Sequence, residues 1–102
     1  MRPFLSSFRQ SEADEHLTLL KHELVHAHDM LVRGLDSNDD DALACMEIRA
    51  HRWAQCENSW FKQPCVKRHA TRSIQMHFDN VETARELVER NYAKCLDRND
   101  LV

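Results

Sequence analysis

Apolar residues along this chain recur at three- and four-residue intervals, the spacing of one face of a helix. Between about Ser11 and Arg33 they fall at Leu17, Leu20, Leu24, Ala27 and Leu31, which predicts a first helix with that face buried. Ser11 with Asp14 three residues on resembles a capping box, and acids at 12, 14 and 15 suit the positive end of the helix dipole. Gly34 is placed to end this helix in a left-handed cap. The polar loop GLDSNDD follows, and Asn38 or an aspartate after it caps a second helix through about Ala54. The apolar positions of that helix are Leu43, Met46, Ala50 and Trp53. A third helix begins at Pro64, a residue tolerated in a first turn, and runs to about Phe78. Asp79-Asn80 interrupts the pattern, and Asn80 caps a fourth helix striped by Val81, Ala84, Val88, Tyr92 and Cys95.

Composition narrows the picture to a mainly α fold of about four helices with little or no β-sheet. One glycine and two prolines are too few for the turns of an all-β domain. A chain of 102 residues has room for one core. The expected organisation is an irregular segment over 1–10 and a single helical domain over 11–102. The opening MRPFLSSFRQ has Arg2, Arg9, two serines and no acid, as in a transit peptide, but it is too short for one. The net charge is −3 with bases scattered among acids, so no nucleic-acid partner is expected. No run of 18 apolar residues is present to span a membrane.

Four cysteines, Cys45, Cys56, Cys65 and Cys95, form an even set. They read either as two disulfides or as buried thiols serving as compact apolar residues. Cys65 precedes the Asp79-Asn80 turn by about 14 residues and Cys95 follows it by about 15. An antiparallel hairpin brings both to its open end, so Cys65–Cys95 is the preferred bridge. Cys45 and Cys56 would stand roughly 16 Å apart on a continuous helix. They pair only if the chain turns back after Trp53. Trp53 and Trp60 are expected to pack in the core or to cover a site.

The stretch LKHELVHAHDML carries the chemistry. His22 and His26 stand about 40° apart around a helix and one turn along it, so both imidazoles reach one ion. Glu23 points about 100° away from His22, the place of a general base rather than a ligand. This H-E-x-x-H pattern is that of zinc hydrolases, and composition alone gives ~0.04 chance matches. The plain alternative is a solvated polar helix face. A catalytic zinc needs a third protein ligand. Glu47 in ACMEIRA, on the next helix, is favoured, with His51 one turn later as a substitute. Asp29 is expected to orient a ligand histidine. The alternative for Glu47 is an ion pair with Arg33, Arg49 or Arg52. His28 faces another side of the helix, and His16, His69 and His77 show no partner pattern.

Taken together, HELVHAHD, ACMEIRA, CVKRHATRSI and a cysteine near the end resemble the mitochondrial inner-membrane metalloprotease family that matures and assembles the ATP synthase. The likeness covers about residues 12–97. It implies a small zincin-like, disulfide-stapled domain holding Zn2+ through His22 and His26, with Glu23 catalytic. Asp29, Glu47 and Arg49 occupy matching motif positions. The implied activity is a zinc endopeptidase, peripheral on the intermembrane-space side of the inner membrane. It would remove the presequence of ATP synthase subunit a (subunit 6) and aid assembly of the membrane sector. Relatives carry a longer N-terminal part with further cysteines, whereas His22 here has 21 residues before it. In zinc peptidases such a part supplies the edge strand that holds a peptide. The alternative expectation is therefore a non-proteolytic metal-binding assembly factor or structural subunit of a larger mitochondrial complex.

Overall fold

The structure is a computed structural model that describes residues 2–96, with side chains from residue 12 onward. Its elements are α1 (Arg2–Leu31), α2 (Asp40–Trp53), α3 (Lys62–Gln75) and α4 (Val81–Leu96), with no strand among the described residues. Residues 97–102 of the expected domain lie outside the described ones. None of the helices is long and apolar enough to cross a membrane.

The caps are those the residue types dictate. Asp39 accepts from the Asp41 and Ala42 amides and starts α2. Asn80 accepts from the Glu82 amide and starts α4. Gly34, at φ 72°, turns the chain after α1 so that the Leu35 amide donates to the Asp29 carbonyl. A side chain there would strain that left-handed backbone. Pro64 lies in the first turn of α3, as expected.

Three features depart from the sequence reading. First, α1 starts at Arg2, so the stretch expected to be irregular is helical and Ser11 lies inside the helix rather than capping it. Pro3 sits in the first turn, and no glycine or proline interrupts the remaining 28 residues of the helix. At 30 residues α1 is ~45 Å long, which sets the 50 Å long axis of the molecule.

Second, the leucine stripe of α1 faces outward. Leu17, Leu20, Leu24 and Leu31 are 54%, 56%, 59% and 84% exposed. Of the other described helices, α1 packs only on α2. It does so through the opposite face, which carries His22, Val25, His26 and Asp29. Asp29 is fully buried, and Arg49 of α2 donates through Nε to both its carboxylate oxygens at 3.1 and 3.2 Å. Arg33 reaches the same carboxylate at 3.4 Å. Polar complementarity between α1 and α2 therefore selects the buried face, although the other face is more apolar. Trp60 is likewise exposed, at 95%, while Trp53 is half-buried under the Arg52 guanidinium.

Third, the disulfides are Cys45–Cys95 and Cys56–Cys65, not Cys65–Cys95 and Cys45–Cys56. The reason is α2, which touches all three other helices. It lies against α4, so Cys95 meets Cys45 with a Cα separation of 5.5 Å. The chain does turn back after Trp53, with the Cys56 amide bonded to the His51 carbonyl, but it delivers Cys56 to the start of α3. There Cys65 waits at a Cα separation of 5.9 Å. Around these bridges the core is Ala44, Ile48, Val66, Ala70, Ile74, Ala84, Leu87 and Val88, all from α2, α3 and α4.

The Cys56–Cys65 bridge closes a loop of sequence separation 9, worth about 2.5 kcal/mol through restriction of the unfolded chain. The Cys56→Ser/Cys65→Ser variant is thus expected to stay folded with Tm lower by roughly 10–20 °C. Thermal denaturation followed by circular dichroism checks this, and an unchanged Tm would remove the bridge from the account of stability.

Candidate metal centre

The contact between α1 and α2 that buries Asp29 also sets the register of the histidines. Two α-helical turns of α1 place His22 and His26 over Glu47 of α2. His22 Nε2 lies 3.3 Å from Glu47 Oε1, and His26 Nε2 lies 3.2 Å from Glu47 Oε2. One ligand atom from each of the three falls within 4.8 Å of the others. The side chains are 12%, 14% and 12% exposed, so the cluster is mostly buried. The two rings meet edge to face at 4.6 Å.

Whether a cation belongs here follows from the hydrogen-bonding roles. His22 Nδ1 lies 3.0 Å from Gln55 Oε1, an oxygen that only accepts, so Nδ1 carries the hydrogen. The Nε2 of the neutral ring then points a lone pair at the Glu47 carboxylate. Glu47 Oε1 is buried and accepts no hydrogen bond. Acceptors facing acceptors at about 3.3 Å are stable only with a positive charge between them, either protons or a metal ion. Burial pushes the His22 pKa down, but the contacts to Glu47 and Gln55 outweigh it and raise it above the ordinary value. Burial likewise pushes Glu47 up, but the two histidines bring it below the usual carboxylate range. Two imidazole nitrogens and a carboxylate are a donor set suited to a divalent metal such as zinc, and these residues fit one.

The remaining candidates fall around this cluster. Glu23 follows His22 on α1, is exposed, and its charge acts on the His22 ring. The Asp29 carboxylate is taken up by Arg49 and Arg33 rather than by His22 or His26. Its role is to lock α1 onto α2, and the nearest imidazole, that of His28, stays 3.9 Å away. Arg49 serves the same lock, and the charge partners of Glu47 are histidines rather than the arginines weighed as alternatives. His51, the substitute ligand, lies outside the three-residue set. Its Nε2 is 2.8 Å from Ser73 Oγ and 3.6 Å from Glu47 Oε1. Burial, aided by the nearby His22 charge, pushes its pKa down to about 4, which keeps the ring neutral.

Gln55 was not legible as a site residue. It lies in the turn after α2, where no periodicity marks it. The one available signal is that a ligating histidine needs an acceptor on its other nitrogen. Lys21 pairs with Glu57 beside it and ties the same turn to α1. From Gln55 a groove of 670 Å³ runs along α1. Asp14, Glu15, Thr18 and Leu19 line one side of it, and His69 with Gln55 the other.

Comparison with known proteins agrees with these motifs. The model of the Peptidase M76 family matches residues 5–101. Searches of curated proteins and of solved structures each gave no significant match. With the family model covering nearly the whole chain, and two histidines and a glutamate gathered at one helix interface, this protein belongs to the Peptidase M76 family.

Proposed function

We propose that the chain is a zinc metalloendopeptidase of the mitochondrial intermembrane space. On this reading it is peripheral to the inner membrane, matures the precursor of ATP synthase subunit a and aids assembly of the membrane sector. The observation that carries the peptidase reading is the convergence of His22, His26 and Glu47, with Gln55 fixing the His22 tautomer. The substrate and the location rest on the resemblance of the HELVHAHD and ACMEIRA motifs.

His22, His26 and Glu47 would hold the zinc, which would supply Lewis-acid polarisation of a peptide carbonyl and activation of water. The chain's own groups do the rest. Glu23 takes a proton from the attacking water on a carboxylate oxygen and returns it to the departing amine nitrogen. Gln55 keeps a hydrogen on His22 Nδ1 and so leaves Nε2 free to bind. The groove along α1 is offered as the place of an extended peptide, since Gln55, the partner of His22, lines it.

A second reading is a non-proteolytic assembly factor that keeps the metal for stability. The exposed leucine face of α1 favours it, since a contiguous apolar stripe marks a protein contact. One experiment separates the two: zinc content and cleavage of a subunit a precursor peptide, for the parent chain and Glu23→Gln. The expected result is about one zinc per chain in both and cleavage only by the parent. Zinc in both with no cleavage by either supports the assembly role. A purified chain that takes up no zinc overturns both readings.

A further inference from the structure

Beside the His22–His26–Glu47 cluster lies a second group of ligand-type atoms that the peptidase reading does not use. Cys56, Cys65 and His69 each offer one atom within 4.8 Å of the others. Cys65 and His69 are four apart on α3, one turn along and about 40° around, the relation that makes His22 and His26 a pair. Cys56 is fully buried and held by the turn after α2, its amide bonded to the His51 carbonyl and its own carbonyl to the Ser59 amide. Cys65 and His69 are half-buried, so an ion can enter from their side. In the oxidised chain the two sulfurs are joined and give no thiolate.

We propose that reduction of the Cys56–Cys65 disulfide creates a second metal site in which the two thiolates and His69 hold a thiophilic divalent cation such as Zn2+. A thiol or phosphine reductant gives two electrons to the disulfide and is itself oxidised; the S–S bond breaks and each sulfur takes a proton. Metal binding then forms two metal–sulfur bonds and releases those two protons. The backbone need not move far. Zinc–thiolate bonds of about 2.3 Å put the sulfurs roughly 3.7 Å apart, which rotation of the Cys65 side chain supplies.

The imidazole of His69 is ready to bind. Burial, with Arg68 and Arg72 adding to it, lowers its pKa, so the ring is neutral near pH 7. Sulfur and nitrogen donors in a two-to-one ratio favour zinc over hard cations such as Mg2+. The two sites are joined through one ring. His51 stacks on His69 at 5.3 Å and meets His22 edge-on at 4.6 Å. The redox state of the disulfide is thereby linked by contact to the first cluster. This inference stands whether or not the first cluster cleaves peptides.

The test is titration with Co2+ alone, before and after treatment with a phosphine reductant, with helix content followed by circular dichroism. A thiolate-to-cobalt charge-transfer band in the near ultraviolet reports only the sulfur site, since the first cluster has no sulfur. The reduced parent is expected to take up one more equivalent than the oxidised chain and to show the band. Cys56→Ser/Cys65→Ser should lack both, although it keeps Cys45 and Cys95. His69→Ala, which leaves the oxidised fold intact, should weaken the second equivalent at least tenfold. The proposal is overturned if the reduced parent shows no band, or if the band survives in the double serine variant. It is overturned equally if His69→Ala binds as the parent does, or if the reduced chain loses its helices and Co2+ does not restore them.

Discussion

Glu47→Ala is expected to weaken zinc binding by more than ~100-fold, beyond the 10–100-fold typical of losing an outer partner of a ligand. Glu47 is the only member of the cluster contributed by α2, and it faces both imidazoles at 3.2–3.3 Å. Without it the two histidines retain one ion only through a single helix, a chelate of two neutral donors. The substitution removes a buried acceptor and leaves no opposite fixed charge behind, so the metal-free fold should persist. Calorimetric titration with zinc, beside circular dichroism of the same samples, separates lost affinity from lost structure. Gln55→Ala should fall between parent and Glu47→Ala, because it frees the His22 tautomer but spares all three donors. A Glu47→Ala chain that binds zinc as tightly as the parent would remove this residue from the ligand set.

Asp29→Ala should be the most damaging single change to the fold, costing about 3–5 kcal/mol. The Asp29 and Arg49 side chains are 0% and 1% exposed. Removing the carboxylate takes from the buried Arg49 guanidinium the acceptor of its Nε, and breaking a buried charge pair is far costlier than losing a surface contact. A domain of this size has only about 5–15 kcal/mol of stability in total. Urea unfolding of Asp29→Ala should therefore show a midpoint far below the parent's. The decisive companion is Asp29→Leu with Arg49→Met, which replaces the pair by apolar side chains of similar bulk. That double variant should recover most of the loss. A single variant losing under ~1 kcal/mol would contradict the view that this pair locks α1 to α2.

The helices were legible because their caps and periodicity are local properties. Asp39, Asn80 and Gly34 act through their own side chain or backbone, whatever packs nearby. The near approach of His22, His26 and Glu47 was also foreseen, since two of them share a helix face and a motif. What failed were two inferences about packing, which face of α1 is buried and which helix carries the partner of each cysteine. Hydrophobicity alone points the Leu17–Leu31 face of α1 inward, yet the ionic and imidazole partners offered by α2 bury the opposite face. The hairpin argument for Cys65–Cys95 treated α3 and α4 as a pair and ignored α2, which lies against both. Gln55 escaped because a turn residue has no period to betray it.

The single-sided attachment of α1 has a consequence for how the molecule opens. Both disulfides join α2, or the turn after it, to α3 and α4, and none reaches α1. Three helices are thus covalently braced to one another, while α1 is held by non-covalent contacts alone and is expected to open first. Detachment pulls His22 and His26 away from Glu47, so ion occupancy and docking of α1 are the same equilibrium seen from two ends. At a free ion concentration 1,000 times Kd, occupancy holds α1 down with about 4 kcal/mol. Amide hydrogens of α1 should then exchange slowly in the loaded protein and quickly in the stripped one, with α2 to α4 little changed. The ion acts as the non-covalent counterpart of the staple that α1 lacks.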